Sequence, residues 1–134
     1  MNSTILVKII MPSEVVFEAN AMMVNIPGGE GVFGVLPGHV KLISTVAIGS
    51  ISVFLDDQEK KFFIYGGVAR VTPTEVDIVS EFVVSLDGQK KSDVLSKLAI
   101  LKLELDSLEK NSLDANILNA TITKYDSLLS FVSN

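Results

Sequence analysis

The pattern of hydrophobic and polar positions changes near residue 87. Before this point, short runs of β-branched and aromatic residues alternate with turn signals. From Ser92 onward there is no glycine or proline, and leucines recur at helical spacing. A period of two residues is typical of half-buried strands, and a period near 3.6 is typical of amphipathic helices. The pattern predicts a β domain over residues 1–86 and a helical unit over residues 87–134.

Several short strands joined by tight turns are predicted in the β domain. The candidate strands span 3–11, 15–17, 22–26, 32–35, 42–46, 48–55, 60–65, 68–72 and 76–82, with Asn20 near a turn. Residues 50–53 alternate serine with isoleucine or valine, as a half-buried strand does. Gly66 and Gly67 interrupt one run and predict a bulge or a close approach of two backbones. Short strands at this spacing indicate a sandwich or flattened barrel.

The helical unit contains two apolar stripes of equal length. The first comprises Val94, Leu98, Leu101, Leu105 and Leu108, and the second comprises Leu118, Ile122, Tyr125, Leu129 and Val132. Ser112 or Asp114 can cap the second helix, because short polar side chains accept hydrogen bonds from free backbone N–H groups. The stripes predict an antiparallel αα-hairpin. The expected fold class is therefore α+β, an all-β sandwich followed by a C-terminal helical hairpin.

Composition and charge exclude several classes of protein. The net charge of the 134 residues is −5 with 11 basic residues, which disfavours nucleic-acid binding. The absence of cysteine removes disulfides and thiolate chemistry. No run reaches the roughly 18 apolar residues of a membrane span, and the first ten residues lack signal-peptide features. We expect a chain that associates with a membrane only through a complex.

No set of catalytic residues is apparent in the sequence. His39 is the only histidine, and no metal or triad partner lies near it in the sequence. Glu75, Asp77 and Glu81 alternate with apolar residues, as an outer strand face should, and no buried carboxyl pair is predicted. We therefore expect no catalytic residue and no metal ion, and we expect that the isolated chain is not an enzyme.

Two further features resemble anion-binding motifs. Gly29, Gly31 and Gly34 fit G-x-G-x-x-G, but no helical pattern follows them, so a dinucleotide site is not predicted. Lys90 and Lys91 stand near the start of the first helix, where anions can bind. A solvated pair of lysines is the alternative interpretation. We expect no cofactor.

The segment Ile26–Val53 contains the run G-x-x-G-V-L-P-G-H, followed by a short strand and a second glycine-terminated turn. The motifs YGGVARV at Tyr65–Val71 and VDIVSE at Val76–Glu81 follow it. This combination resembles the epsilon subunit of F-type ATP synthases. The likeness covers about the first 86 residues, and the terminal helix pair also agrees with that family.

The resemblance implies a sandwich of about ten strands and a non-catalytic rotor subunit of the central stalk, which couples c-ring rotation to the catalytic head. It implies binding to the gamma subunit and the c ring on the cytoplasmic face of the bacterial inner membrane. It also implies a hairpin that can regulate ATP hydrolysis through the alpha and beta subunits. By position, the resemblance directs Gly29, Glu30, Gly31 and Val32 to the c ring, and Leu36, Pro37 and His39 to gamma.

Some bacterial members of that family bind ATP through an [IL]-D-x-x-R-A motif. The matching stretch, residues 86–91, keeps Asp87 but has Lys90 and Lys91 in place of arginine and alanine. Lysine lacks the planar fork of arginine, which argues against tight ATP binding. From residue 112 onward two aspartates oppose one lysine, which argues against strong inhibition through acidic segments of the head. The alternative function is a nucleotide-sensing module whose hairpin closes on ATP at Asp87 and Lys90.

Overall fold

A computed structural model describes residues 3–132. The chain divides into two compact units, and the boundary between them falls between Asp87 and Gly88. Within the described residues, the first unit contains eight strands and the second contains two helices. The elements are β1 (Ile5–Met11), β2 (Glu14–Ala21), β3 (Met23–Gly28), β4 (Gly31–Val35), β5 (Leu42–Phe54), β6 (Glu59–Val71), β7 (Glu75–Val79), β8 (Val83–Ser85), α1 (Lys91–Asp106) and α2 (Leu113–Leu129). The predicted sandwich followed by two helices is confirmed.

The strands form one hydrogen-bonded path in the order β2-β1-β7-β6-β5-β3-β4, with β8 paired to β6. The β1–β7 pair is parallel, and the other pairs are antiparallel. The path does not close on itself in the described part of the chain, because β2 and β4 form its two ends. The unit is therefore a sandwich and not a closed barrel.

Strands β5 and β6 explain why eight strands are observed where about ten were expected. Each contains 13 residues and includes two of the predicted short strands. Their pairing keeps one register across the glycines, with Val46 opposite Gly67 and Ile48 opposite Tyr65. The glycines allow the strands to bend without ending the ladder of hydrogen bonds.

Asn20 was predicted near a turn, but it lies inside β2 and pairs with Leu6. The chain turns at Met22, whose N–H donates to the Phe54 carbonyl at 2.8 Å. Asparagine is a common turn residue, and here the pairing of β2 with β1 overrides that preference.

The interior of the sandwich is formed by alternating residues of the strands. In β1, Ile5, Val7 and Ile9 are fully buried, as the period of two requires. The backbone at Gly67 is also tightly packed, since a Cβ atom there would collide with the Val79 carbonyl oxygen. The predicted close approach of two backbones at Gly66 and Gly67 is confirmed.

The two helices of the second unit pack on each other along an apolar seam. The buried members of the seam are Val94, Leu98 and Leu101 in α1, and Ala115, Ile122 and Leu128 in α2. Ser112 caps α2, because its side chain accepts a hydrogen bond from the Ala115 N–H at 3.1 Å. Of the two predicted caps, Ser112 is thus correct, and Asp114 lies in the first turn. The α2 stripe differs slightly from the prediction, because Leu128 is more deeply buried than Leu129.

Candidate docking surface

The β3–β4 turn carries the residues that the resemblance directs to the c ring. Gly28 pairs with Gly31, which leaves Gly29 and Glu30 as a two-residue turn. Gly31 has φ +128°, a conformation that residues with a Cβ atom rarely adopt. Directly after the turn, the Val32 side chain is 71% exposed. The turn therefore presents an apolar side chain from a conformation fixed by backbone pairing.

A surface groove of about 500 Å³ lies beside this turn and the start of β5. The groove is lined by residues 28–33 and by residues 42–45. Ile43 is one of the lining residues, and its side chain is 73% exposed. A Cβ atom on Gly29 would lie 2.9 Å from Thr45 Oγ1, so the turn packs closely against β5. An open groove with exposed apolar walls is a feature of protein-binding surfaces.

The segment between β4 and β5 carries the residues that the resemblance directs to gamma. The Gly38 N–H donates to the Pro73 carbonyl at 2.8 Å, and the His39 N–H donates to the Leu36 carbonyl at 3.1 Å. His39 Nδ1 donates to the Val40 carbonyl at 2.7 Å. Pro37 and His39 are half-buried, whereas Leu36 is exposed. The segment is thus held to the β6–β7 turn and keeps an apolar side chain facing solvent.

A row of charged side chains crosses the outer face of the adjoining strands. Arg70 of β6 lies opposite Asp77 of β7, and Asp77 lies opposite Lys8 of β1. The Arg70 guanidinium donates to Asp77 Oδ2 at 2.7 Å. Lys8 Nζ lies 3.6 Å from a carboxylate oxygen of Glu75. The row therefore contains two neighbouring carboxyl groups, Glu75 and Asp77, with one cation paired to each of them.

The carboxyl pair in this row was not predicted. A hydrogen bond with Asp77 raises the pKa of Glu75, and burial and the Asp77 charge act in the same direction. Burial opposes ionisation of Asp77, but hydrogen bonds from Glu75 and Arg70 outweigh it and lower the Asp77 pKa. Asp77 Oδ2 accepts from Arg70, whereas Asp77 Oδ1 is buried and has no hydrogen-bond partner within residues 3–132. A hydrogen bond between the two carboxyl groups therefore requires that one of them, Glu75, be protonated.

The alternation in β7 places Glu75 and Asp77 on one face, and this much was visible in the sequence. The contribution of Arg70 was not visible, because it depends on the register between β6 and β7. The sequence predicted no buried carboxyl pair, and the pair that Glu75 and Asp77 form is only half-buried. The effect of this pair on the pKa of Glu75 was not predicted. Glu81 lies outside β7 and is exposed.

The two residues of the nucleotide-binding alternative differ in their surroundings. Asp87 ends the first unit, and its Oδ2 contacts Lys60 Nζ at 2.8 Å. Lys90 precedes α1 as its N-cap residue, and its side chain caps no backbone N–H group. Lys60 is thus already paired with the Asp87 carboxylate, which the nucleotide-binding alternative requires. ATP binding at these positions stays a prediction.

The described residues contain no group of three or more histidine or acidic side chains arranged to hold a metal ion. Neither helix in this part of the chain is long and apolar enough to cross a membrane. The features described above define a class of protein, a small β sandwich with exposed, firmly held turns and an appended pair of helices. In proteins of this kind, binding residues commonly lie on the exposed loops that the scaffold holds in place.

Sequence comparison narrows this class to one family. Residues 4–85 match the family described as ATP synthase, Delta/Epsilon chain, beta-sandwich domain. The match spans all eight strands and more than half of the chain. The chain therefore belongs to the delta/epsilon family of ATP synthase subunits, which confirms the resemblance seen in its glycine-rich motifs.

Several relatives at whole-chain level are ATP synthase epsilon chains of Rickettsia species. The chain is 39% identical to that of Rickettsia conorii over 108 residues, which cover 78% of this chain and 96% of the relative. It is 37% identical to that of Rickettsia bellii over 105 residues, which cover 76% of this chain and 97% of the relative. The similarity thus extends beyond the sandwich into the helical unit.

Two solved structures share the fold. A chain from the cryo-EM structure of the Euglena gracilis mitochondrial ATP synthase, OSCP/F1/c-ring, is 19% identical with a TM-score of 0.67, covering 97% of this chain and 82% of that one. A chain from the Tetrahymena thermophila mitochondrial ATP synthase, central stalk/c-ring, is 11% identical with a TM-score of 0.53, covering 93% and 96%. At these identities the likeness concerns the fold alone.

Proposed function

We propose that this chain is the epsilon subunit of a proton-translocating ATP synthase, a non-catalytic part of the rotor that couples c-ring rotation to the catalytic head. The observation that carries the proposal is the family match over residues 4–85, with epsilon chains as whole-length relatives. Chains with the same fold come from two ATP synthase assemblies, one containing OSCP, F1 and the c ring and the other containing the central stalk and the c ring. Residues 1–86 dock on the stalk, and residues 87–134 regulate.

Two adjoining parts of the sandwich supply the docking contacts. The turn Gly29–Val32 binds the c ring, and the segment containing Leu36, Pro37 and His39 binds gamma. Backbone hydrogen bonds already hold both segments, so little conformational entropy is lost when a partner binds. The exposed Val32 and Leu36 side chains supply apolar area for these contacts.

The complex places the chain at the cytoplasmic face of the bacterial inner membrane, where it is held by its partners. The Rickettsia relatives support a bacterial enzyme of this type. The helical hairpin has an acidic second helix, so its contacts with the alpha and beta subunits inhibit weakly. No cofactor is required, and ATP is at most a weak regulatory ligand because Lys60 already pairs with Asp87.

A pull-down of the purified chain against the gamma subunit and the c ring from the same organism tests the proposal. The double variant Pro37→Ser, His39→Ala should weaken capture by gamma, and Val32→Ser should weaken capture by the c ring. Asp56→Ala, Asp57→Ala is the matched control, because both aspartates lie in the exposed β5–β6 turn. Thermal melting of each variant separates lost contacts from lost folding.

Stable capture that is weakened selectively by each docking variant would support the rotor assignment. Capture by neither partner would refute it. In that case an ATP titration decides the nucleotide-sensing alternative, which requires saturable binding that is lost in Asp87→Ala.

A further inference from the structure

Arg70 lies on the outer face of β6, outside the segments assigned to the c ring and gamma. Its side chain is 64% exposed. Among residues 3–132 its guanidinium makes one hydrogen bond, to Asp77 Oδ2 at 2.7 Å. A guanidinium carries several N–H donors in a planar fork, so most donors of Arg70 stay available to another molecule.

Asp77 fixes the position of this guanidinium. The Asp77 side chain is only 13% exposed and lies in register between Arg70 and Lys8. Lys8 is already engaged by Glu75, and Glu18 lies opposite Lys8 on β2 and is exposed. Of the two cations in this row, Arg70 is therefore the one that a carboxylate holds in place and that is still exposed to solvent. An anchored side chain loses less rotamer entropy on binding than a free one.

The surroundings of Arg70 are apolar and exposed. Ile43 lies opposite Arg70 on β5 and is 73% exposed, and Val68 lies two residues away on the same strand. Val79 pairs with Val68 and is also exposed. An arginine flanked by apolar side chains is the composition of an interface hot spot.

This patch is continuous with the segment assigned to gamma. The Gly38 N–H donates to Pro73, which belongs to the turn joining β6 to β7. Arg70 and Asp77 lie on the two strands that this turn connects. A partner seated on the segment from Leu36 to His39 is therefore positioned to reach Arg70.

We infer that Arg70 is a specificity-determining contact for the gamma subunit, and that it binds a carboxylate on that subunit. The inference rests on the proposed function, because it names one contact within the proposed gamma interface. A carboxylate suits the site, since it matches the planar fork and accepts two hydrogen bonds at once. The chain has a net charge of −5, so its surface repels acidic groups in general. The exposed guanidinium of Arg70 attracts such a group at one position.

The test measures Kd of the full chain for the purified gamma subunit at low and high salt. Arg70→Gln should weaken binding about tenfold at low salt and flatten its salt dependence. Arg70→Lys should recover part of the affinity, because it restores the charge but not the fork. Lys60→Gln is the matched control, since Lys60 also lies on β6 and forms a 2.8 Å ion pair. We expect its Kd to stay within about twofold of wild type.

Retention of wild-type affinity and salt dependence by Arg70→Gln, while the wild-type chain binds gamma, would overturn the role of Arg70 and leave the proposed function intact. Equal loss in Arg70→Gln and Lys60→Gln would also overturn it, because the effect would then be general. Failure of the wild-type chain to bind gamma would refute the proposed function, and with it this inference.

Discussion

The two units of the chain differ in the size of their buried interior. In the sandwich, the side chains of Ile51, Ile78 and many others are completely buried, whereas the helical unit buries few side chains as deeply as Leu128. Both units leave large apolar side chains exposed, such as Ile43 in the sandwich and Leu103 in the helical unit. A closed core specifies one structure, whereas two helices with a narrow seam are only marginally stable. We therefore expect the sandwich to resist unfolding more strongly than the hairpin.

The largest effect is expected from a cavity in the sandwich. Ile78→Ala removes a fully buried side chain and should lower the free energy of unfolding by about 2–5 kcal/mol. Val79→Ala is the matched control on the next position of β7, because Val79 is exposed. Denaturant unfolding of both variants checks the prediction. Similar stability of the two would contradict the closed core.

An intermediate effect is expected from a charge in the helical seam. Leu105 is half-buried and lines the space between α1 and α2, so Leu105→Asp should cost about 1–3 kcal/mol of hairpin stability. Leu103→Asp should change it by no more than about 0.5 kcal/mol, because Leu103 is 72% exposed on the same helix. Hydrogen exchange of the helical amides measures both variants. Equal protection in the two would show that the seam does not hold the hairpin together.

The smallest effect is expected at the carboxyl pair on the sheet face. The folded-state pKa of Glu75 is raised, so its contribution to stability is complete below its unfolded pKa and is lost as pH rises through the folded pKa. Glu75→Gln keeps a donor for Asp77 at every pH. The variant should therefore melt slightly higher than wild type at neutral pH, and the difference should shrink in acid. The pKa of Asp77 is lowered in the folded state, so its contribution to stability is lost as pH falls through the folded pKa. This loss occurs in wild type and in Glu75→Gln alike. A difference in melting temperature that grows on acidification would contradict a hydrogen bond between protonated Glu75 and Asp77.

Local patterns in the sequence predicted the elements but not their connections. Alternation located β1 and β7, and short polar residues between two stripes located the cap at Ser112. The glycines at 66 and 67 read as a break, because a local pattern cannot show that the neighbouring strand continues the ladder.

The candidate site shows the same limit. The glycine-rich motif identified the β3–β4 turn and the segment after β4, since both are contiguous in sequence. The surroundings of Arg70 could not be predicted, because Asp77 and Ile43, which lie opposite it, come from two other strands. Cross-strand partners follow from register, and register was not readable from periodicity alone.

The continuous pairing of β5 with β6 has a mechanical consequence. The two strands stay paired from Leu42 and Val71 at one end to Phe54 and Glu59 at the other. Sliding β5 along β6 would have to break this backbone ladder, in addition to disturbing the side chains packed on it. A force applied along one of these two strands is therefore carried to the other through the hydrogen bonds that join them.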